Sequence, residues 1–148
     1  MTERPILFSA EMVRAILDGR KTQTRRVMKV QPYPDSIVTV EHYNQTVIDR
    51  HGDMQPGPEV FGAHWDDGEC GLCCPYGAPG DTLWVREAHA LSANPDLKPW
   101  YRLDHPEARS SGPRVDVKWR PSIHMPRWVS RITLRITDVR VERLQDIS

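Results

Sequence analysis

SAEMVRAILDGRKTQTRR, running from Ser9 to Arg26, is the stretch from which the rest of the chain can be read. Ser9 offers an N-cap hydroxyl, and Glu11 places a negative charge in the first turn. Met12, Ala15 and Ile16, with Val13 and Leu17 beside them, give one apolar face at helical spacing, while Glu11, Arg14 and Asp18 face water. Gly19 suits the left-handed position that closes such a helix. Directly after it come four cations, Arg20, Lys21, Arg25 and Arg26, around Thr22, Gln23 and Thr24. Two readings of this turn stand side by side. It is a solvated basic turn leading into a strand that begins near Val27 and Val30, or Lys21 and Thr24 converge with Arg26 on one pocket. In the second case the lysine holds an anion or loses affinity for its proton beside other cations, and the threonine hydroxyl serves as nucleophile or donor.

Outward from this stretch the chain alternates like a β protein. Ile6 to Phe8 is a short strand before the helix. Thr82 to Glu87 (TLWVRE) follows the Gly80-Asp81 turn, with Leu83 and Val85 on one face and Trp84 and Arg86 on the other. Ile132, Leu134 and Ile136 alternate with Arg131, Thr133 and Arg135. The apolar series then passes to Val139 and Val141, which requires a bulge or bend at Thr137 and Asp138. Shorter strands are expected at Trp100 to Leu103 and Val115 to Trp119. Between about residues 31 and 71 a hairpin of Ile37–Val40 with Thr46–Ile48 is expected. It is followed by a Gly-, Pro- and Asp-rich excursion from His51 to Gly68, so the segment reads as a loop-rich insertion. Leu144 to Ser148 looks like the approach to a helix N-cap, as though a last helix should follow. One helix among many strands implies an α+β, mainly β barrel.

The 148 residues suit one domain, and the 20 basic and 20 acidic residues cancel, so net charge alone announces no polyanionic partner. The distribution is uneven. Six lysines and arginines lie between Arg14 and Lys29 against Asp18, and eight basic residues, counting His124, lie between Lys118 and Arg143 against Asp138 and Glu142. The N-terminus has no signal-peptide pattern and no window reaches the length of a membrane span, so no membrane is expected. Three cysteines, all within Cys70 to Cys74, make no disulfide framework and point to a reducing cytoplasm. Nothing in the pattern sets an oligomeric state.

The pattern Gly19-x-Lys21-x-x-Thr24-x-Arg26 after an amphipathic helix resembles the signature of the ASCH domain family, in which a glutamate commonly stands at the position of Thr24. The resemblance extends to Gly80–Glu87 (GDTLWVRE), to CPYG at Cys74–Gly77 and to WRPSIHMPRW at Trp119–Trp128, which are similar to ASCH proteins encoded by bacteriophages and prophages. It implies a single PUA-like β-barrel with a short N-terminal helix, acting in the cytoplasm of a bacterial host on RNA or a modified nucleoside. Threonine at this position is also found in related bacterial N4-acetylcytidine amidohydrolases. That likeness implies catalytic roles for Thr24, as nucleophile, and Lys21, as the group activating it, with Gly19 and Arg26 shaping the site. Those enzymes take a further catalytic glutamate from a helix after the last strand, to which no residue of this chain corresponds. A non-catalytic RNA-binding module, or a phage accessory protein that binds a host protein, is the alternative.

Three further groups carry candidate chemistry. Glu87, at the end of its strand, is a candidate acid or base, or a salt-bridge partner of Arg26 or another cation. Trp119, His124, Arg127 and Trp128 interleave aromatics with cations, which suits base stacking and phosphate contact, or equally an apolar lid over one barrel end. Cys70, Cys73 and Cys74 are spaced to ligate zinc with His64 or His51 as a fourth ligand, or are incidental small buried residues. The amide-hydrolysis scheme itself requires no cofactor.

Overall fold

The computed structural model describes residues 2–66, 70–92, 98–106 and 117–147, and the architecture is α+β and mainly β. The strands are β1 (Glu3–Leu7), β2 (Thr39–Ile48), β3 (Met54–Trp65), β4 (Cys70–Cys73), β5 (Thr82–Arg86), β6 (His89–Ala90), β7 (Trp100–Tyr101) and β8 (Thr133–Arg135), with one α-helix, α1 (Ala10–Leu17). They form open sheets of order β1-β5-β8, β2-β3-β4 and β6-β7, and no sheet closes on itself among the described residues. No helix among those residues is long and apolar enough to cross a membrane.

The chain divides into two compact units, one of Glu3–Arg25 and Leu83–Leu134, the other of Met1–Thr2, Arg26–Thr82 and Arg135–Ser148. In the first unit α1 forms as its sequence dictates. The Ser9 hydroxyl accepts from the Met12 N–H at 3.4 Å, and Val13 is the residue that α1 buries completely. Gly19 takes φ of 71°, a left-handed conformation costly for any residue with a Cβ. The turn it makes lets the Arg20 and Lys21 N–H groups both donate to the Ala15 carbonyl at 2.9 Å. β5 lies between β1 and β8 and has Trp84 and Val85 buried on opposite faces, as a strand covered on both sides must. Ile6, Phe8, Val13, Val85, Met125, Val129 and Ile132 are the main buried side chains of this unit.

The second unit corrects the expectation of a loop-rich insertion. β2 is one continuous strand that runs from the end of the first anticipated hairpin arm, at Thr39, through the whole of the second, and its antiparallel partner is β3, which occupies most of the anticipated excursion. The turn between them is organised by Asp49, whose Oδ1 accepts from the N–H groups of His51 at 2.8 Å and Asp53 at 3.0 Å. Pro56 and Pro58 disguise the strand, since proline supplies no ladder hydrogen bond. They are tolerated because β4 pairs only with residues 62–65 of β3, which leaves the outer edge of the proline-bearing half open. β2 also bulges between Asn44 and Thr46 opposite this point.

The strand expected from Val27 to Val30 does not form. Residues 20–28 have no regular structure, and Val27 is 90% exposed. Val115 lies outside the described residues, and Val117–Trp119 are not in a strand. At the C-terminal side the half-buried or buried positions are Ile132, Leu134 and Ile136 and then Val139 and Val141, with Thr137 and Asp138 exposed between them. The inferred shift of parity is therefore present, although the hydrogen-bonded strand is only Thr133–Arg135. Leu144–Asp146 is a single 3-10 turn without a side-chain cap.

Gly62 is the tightest point of the β3–β4 pairing. A Cβ there would overlap the Leu72 carbonyl oxygen and stand 2.9 Å from Cys73 Cα, both backbone atoms that cannot swing away. Gly62→Ala is expected to lower the unfolding free energy by about 1–3 kcal/mol, the range for forced overpacking. Urea titration checks it, and unchanged stability would mean that this pairing is absent in solution.

Candidate functional site

The turn after α1 is held by its own lysine. Lys21 Nζ donates to the Gln23 carbonyl at 2.8 Å and lies 5.8 Å from the centre of the Phe8 ring. Lys21 is half-buried, and Thr22, Gln23, Thr24 and Arg25 are exposed around it. The ammonium thus reaches the Gln23 carbonyl rather than Thr24, and the pairing of lysine with threonine hydroxyl anticipated from their spacing is not formed. Gly19, Lys21 and Thr24 belong to the first unit; Arg26 is an exposed residue at the start of the second.

Glu87 is 3% exposed and held in a fork by Arg131, whose Nε donates to Oε1 at 2.8 Å and Nη2 to Oε2 at 2.9 Å. The third face of the same guanidinium donates through Nη1 to Asp104 Oδ2 at 2.5 Å, and its carbon sits 4.0 Å from the centre of the Tyr101 ring. Burial opposes the charged guanidinium, but the bonds to Glu87 and Asp104 outweigh it and hold its pKa above the ordinary arginine value. Tyr101 donates its hydroxyl proton to the Val129 carbonyl at 2.7 Å, and burial raises its pKa. Both oxygens of Glu87 are therefore engaged by Arg131. The salt bridge anticipated as its alternative role exists, with Arg131 as the partner.

The segment Trp119–Trp128 folds as two 3-10 turns, Ser122–His124 and Arg127–Val129, each preceded by a proline that sets the extended conformation at its entry. Its side chains divide into two sets. Met125 is completely buried, and Trp119 is half-buried with the Arg102 guanidinium 5.1 Å from its ring. Trp128 is 71% exposed and Ile123 54% exposed, and His124 is exposed as well. Arg127 remains at the surface but is forked onto Glu3, at 3.0 Å for each bond, with the Trp84 ring 6.0 Å away. Its hydrogen bond lowers the Glu3 pKa.

No protein-family model, curated protein or solved structure matches this chain.

The cysteines do not gather. β4 carries Cys70 opposite Trp65 and Cys73 opposite Gly62, and three residues of strand place the two thiols on opposite faces. His64 Nε2 lies 3.1 Å from Glu41 Oε1, and His51 Nε2 accepts from Arg50 Nε at 3.0 Å. Among the described residues no three His, Cys, Asp or Glu side chains are grouped to hold a metal ion. Sequence reasoning passed over His89, which is wholly buried next to Glu87. An isolated histidine in a short Ala-His-Ala stretch gives no periodic signal that would separate it from a surface residue.

Proposed function

We propose that this is an ASCH-type protein that binds single-stranded RNA or a modified nucleoside, in a bacterial cytoplasm, through the exposed aromatic and basic side chains of its first unit. The observation that carries this reading is Trp128. A tryptophan 71% exposed on a short proline-entered turn leaves a rigid ring available to a base. Trp128 has Arg127 beside it in the turn, and the basic residues Arg20, Lys21 and Arg25 lie in the same unit. The finer fold expectation, a PUA-like ASCH arrangement, belongs to this proposal. It is supported by the helix closed at Gly19 with Lys21 following, and by the mainly β architecture.

Binding is favoured over amide hydrolysis at N4-acetylcytidine because the geometry provides no free carboxylate at Glu87 and no contact between Lys21 and Thr24. The test is fluorescence anisotropy with a labelled single-stranded RNA. Affinity should fall as salt rises, since phosphate contacts release counterions. Trp128→Ala should weaken binding about 5- to 100-fold, the loss of one stacked base, with an unchanged melting temperature. Affinity indifferent both to salt and to Trp128→Ala would remove the proposal.

A further inference from the structure

Two polar side chains are buried among the described residues, and only one of them has its polar atoms fully partnered. Glu87 is matched by Arg131. His89 is 0% exposed, its Nδ1 lies 3.3 Å from the Glu87 carbonyl oxygen, and its Nε2 has no hydrogen-bond partner. A carbonyl oxygen only accepts, so the nitrogen that faces it carries the proton. Nε2 is then a buried lone pair with no donor among the described residues. That arrangement holds only for the neutral ring, because a second N–H would point at no acceptor.

The backbone of the same residue ties down the segment that carries Trp128. His89 N–H donates to the Arg120 carbonyl at 3.2 Å, and Arg120 N–H donates to the His89 carbonyl at 2.7 Å. The charged groups that act on the imidazole are Arg120 and His124 from that segment, which oppose a positive charge, and Glu87 from the end of β5, which favours one but is already forked onto Arg131. Burial is the largest influence, and the pKa of His89 is lowered from its ordinary 6.5.

We propose that His89 is an acid-sensitive latch: the neutral ring keeps residues 119–128 seated on β6, and protonation, which places an unpaired N–H and a positive charge beside Arg120 and His124, releases them. The sign follows from linkage. The opened segment takes up a proton at an ordinary histidine pKa while the seated one resists it, so seating is fully stable above about 6.5 and weakens as pH falls below it. One proton per opening event limits the effect to at most tenfold per pH unit below about 6.5. The latch does not depend on RNA binding. Its consequence for recognition, loss of the platform under Trp128, does rest on the function proposed above.

The test is hydrogen exchange on the full chain at pH 7.5 and 5.5, with protection corrected for the intrinsic rate. The amides of Arg120, Met125 and Val129 are each hydrogen-bonded within or to this segment. They should lose protection between pH 7.5 and 5.5, by up to about tenfold, while amides of the β2–β3 pairing hold theirs. His89→Phe should abolish that dependence and His124→Gln should retain it. Equal protection at the two pH values, or a dependence that persists in His89→Phe or disappears in His124→Gln, overturns the latch. If His89→Phe does not fold, the ring titration of the wild type by NMR decides. A ring that stays neutral until the segment opens supports the latch, and one that titrates at 6.5 or above with the amides still protected refutes it. A chain that binds no RNA but shows this exchange pattern would disprove the function proposed above and leave the latch standing.

Discussion

Arg131→Ala is expected to lower the unfolding free energy by about 3 kcal/mol, the low end of the roughly 3–5 kcal/mol that accompanies loss of one partner from a buried ion pair. The low end applies because the arginine side chain is itself 25% exposed, whereas the carboxylate it serves is 3% exposed. Most of the loss comes from Glu87, which is left with a buried charge and two unanswered oxygens. The bond to Asp104, a carboxylate 43% exposed, adds less than about 1 kcal/mol, as exposed bridges do. Stacking on Tyr101 adds a comparable amount. Replacing both partners with leucine should cost less than Arg131→Ala alone, because the apolar pair leaves no charge stranded. Chemical denaturation of Arg131→Ala and of the double variant separates these contributions. A double variant less stable than Arg131→Ala would show that the pair is favourable in itself rather than merely costly to break. On the RNA-binding proposal the consequence is that Arg131, although it stands in the basic run from Lys118 to Arg143, is a structural residue, and its substitution should reduce binding only as far as it unfolds the chain.

Much of this architecture is readable from local pattern where the pattern is undisturbed. Ser9, the apolar spacing and Gly19 bound α1 correctly, and Thr82–Arg86 is a strand because alternation and the preceding Gly80-Asp81 turn agree. The parity shift at Thr137 and Asp138 is likewise visible in the residue order alone. The failures have physical causes. β3 contains Pro56, Gly57 and Pro58, which are strand breakers by composition and are accommodated where β4 does not pair with β3, a fact about a neighbouring strand. Val27 and Val30 have strand propensity but find no partner, and propensity without pairing does not make a strand. In the candidate site, sequence brings residues near one another along the chain and says nothing of who answers whose charge. Glu87 meets Arg131 across 44 positions and Arg127 meets Glu3 across 124, so the identity of each partner is a property of the fold. The cysteine spacing misleads for a related reason: on a strand, unlike a loop, Cys70 and Cys73 face opposite ways.

Met125→Ala is expected to remove about 2–5 kcal/mol of stability, the range for truncating a fully buried large side chain. Met125 is 0% exposed, and its backbone joins the two 3-10 turns to the sheet: its N–H donates to the Ser122 carbonyl at 3.1 Å, and its carbonyl accepts from Arg86 Nε at 3.1 Å. Met125→Leu, similar in volume, should cost less than about 1.5 kcal/mol. Thermal unfolding of the two variants checks the contrast, and a Met125→Ala protein as stable as Met125→Leu would mean that the segment is not packed as described. The comparison with Trp128→Ala is what decides how the ten residues from Trp119 to Trp128 divide their work. An apolar lid would lose stability at both positions. A recognition surface resting on a buried anchor would lose stability at Met125 and affinity at Trp128. The exposures of the two side chains, 0% and 71%, favour the second division. On the RNA-binding proposal, Met125→Leu should bind as the wild type does, whereas Met125→Ala, assayed well below its melting temperature, should bind more weakly because the turn that presents Trp128 has lost the contact that fixes it.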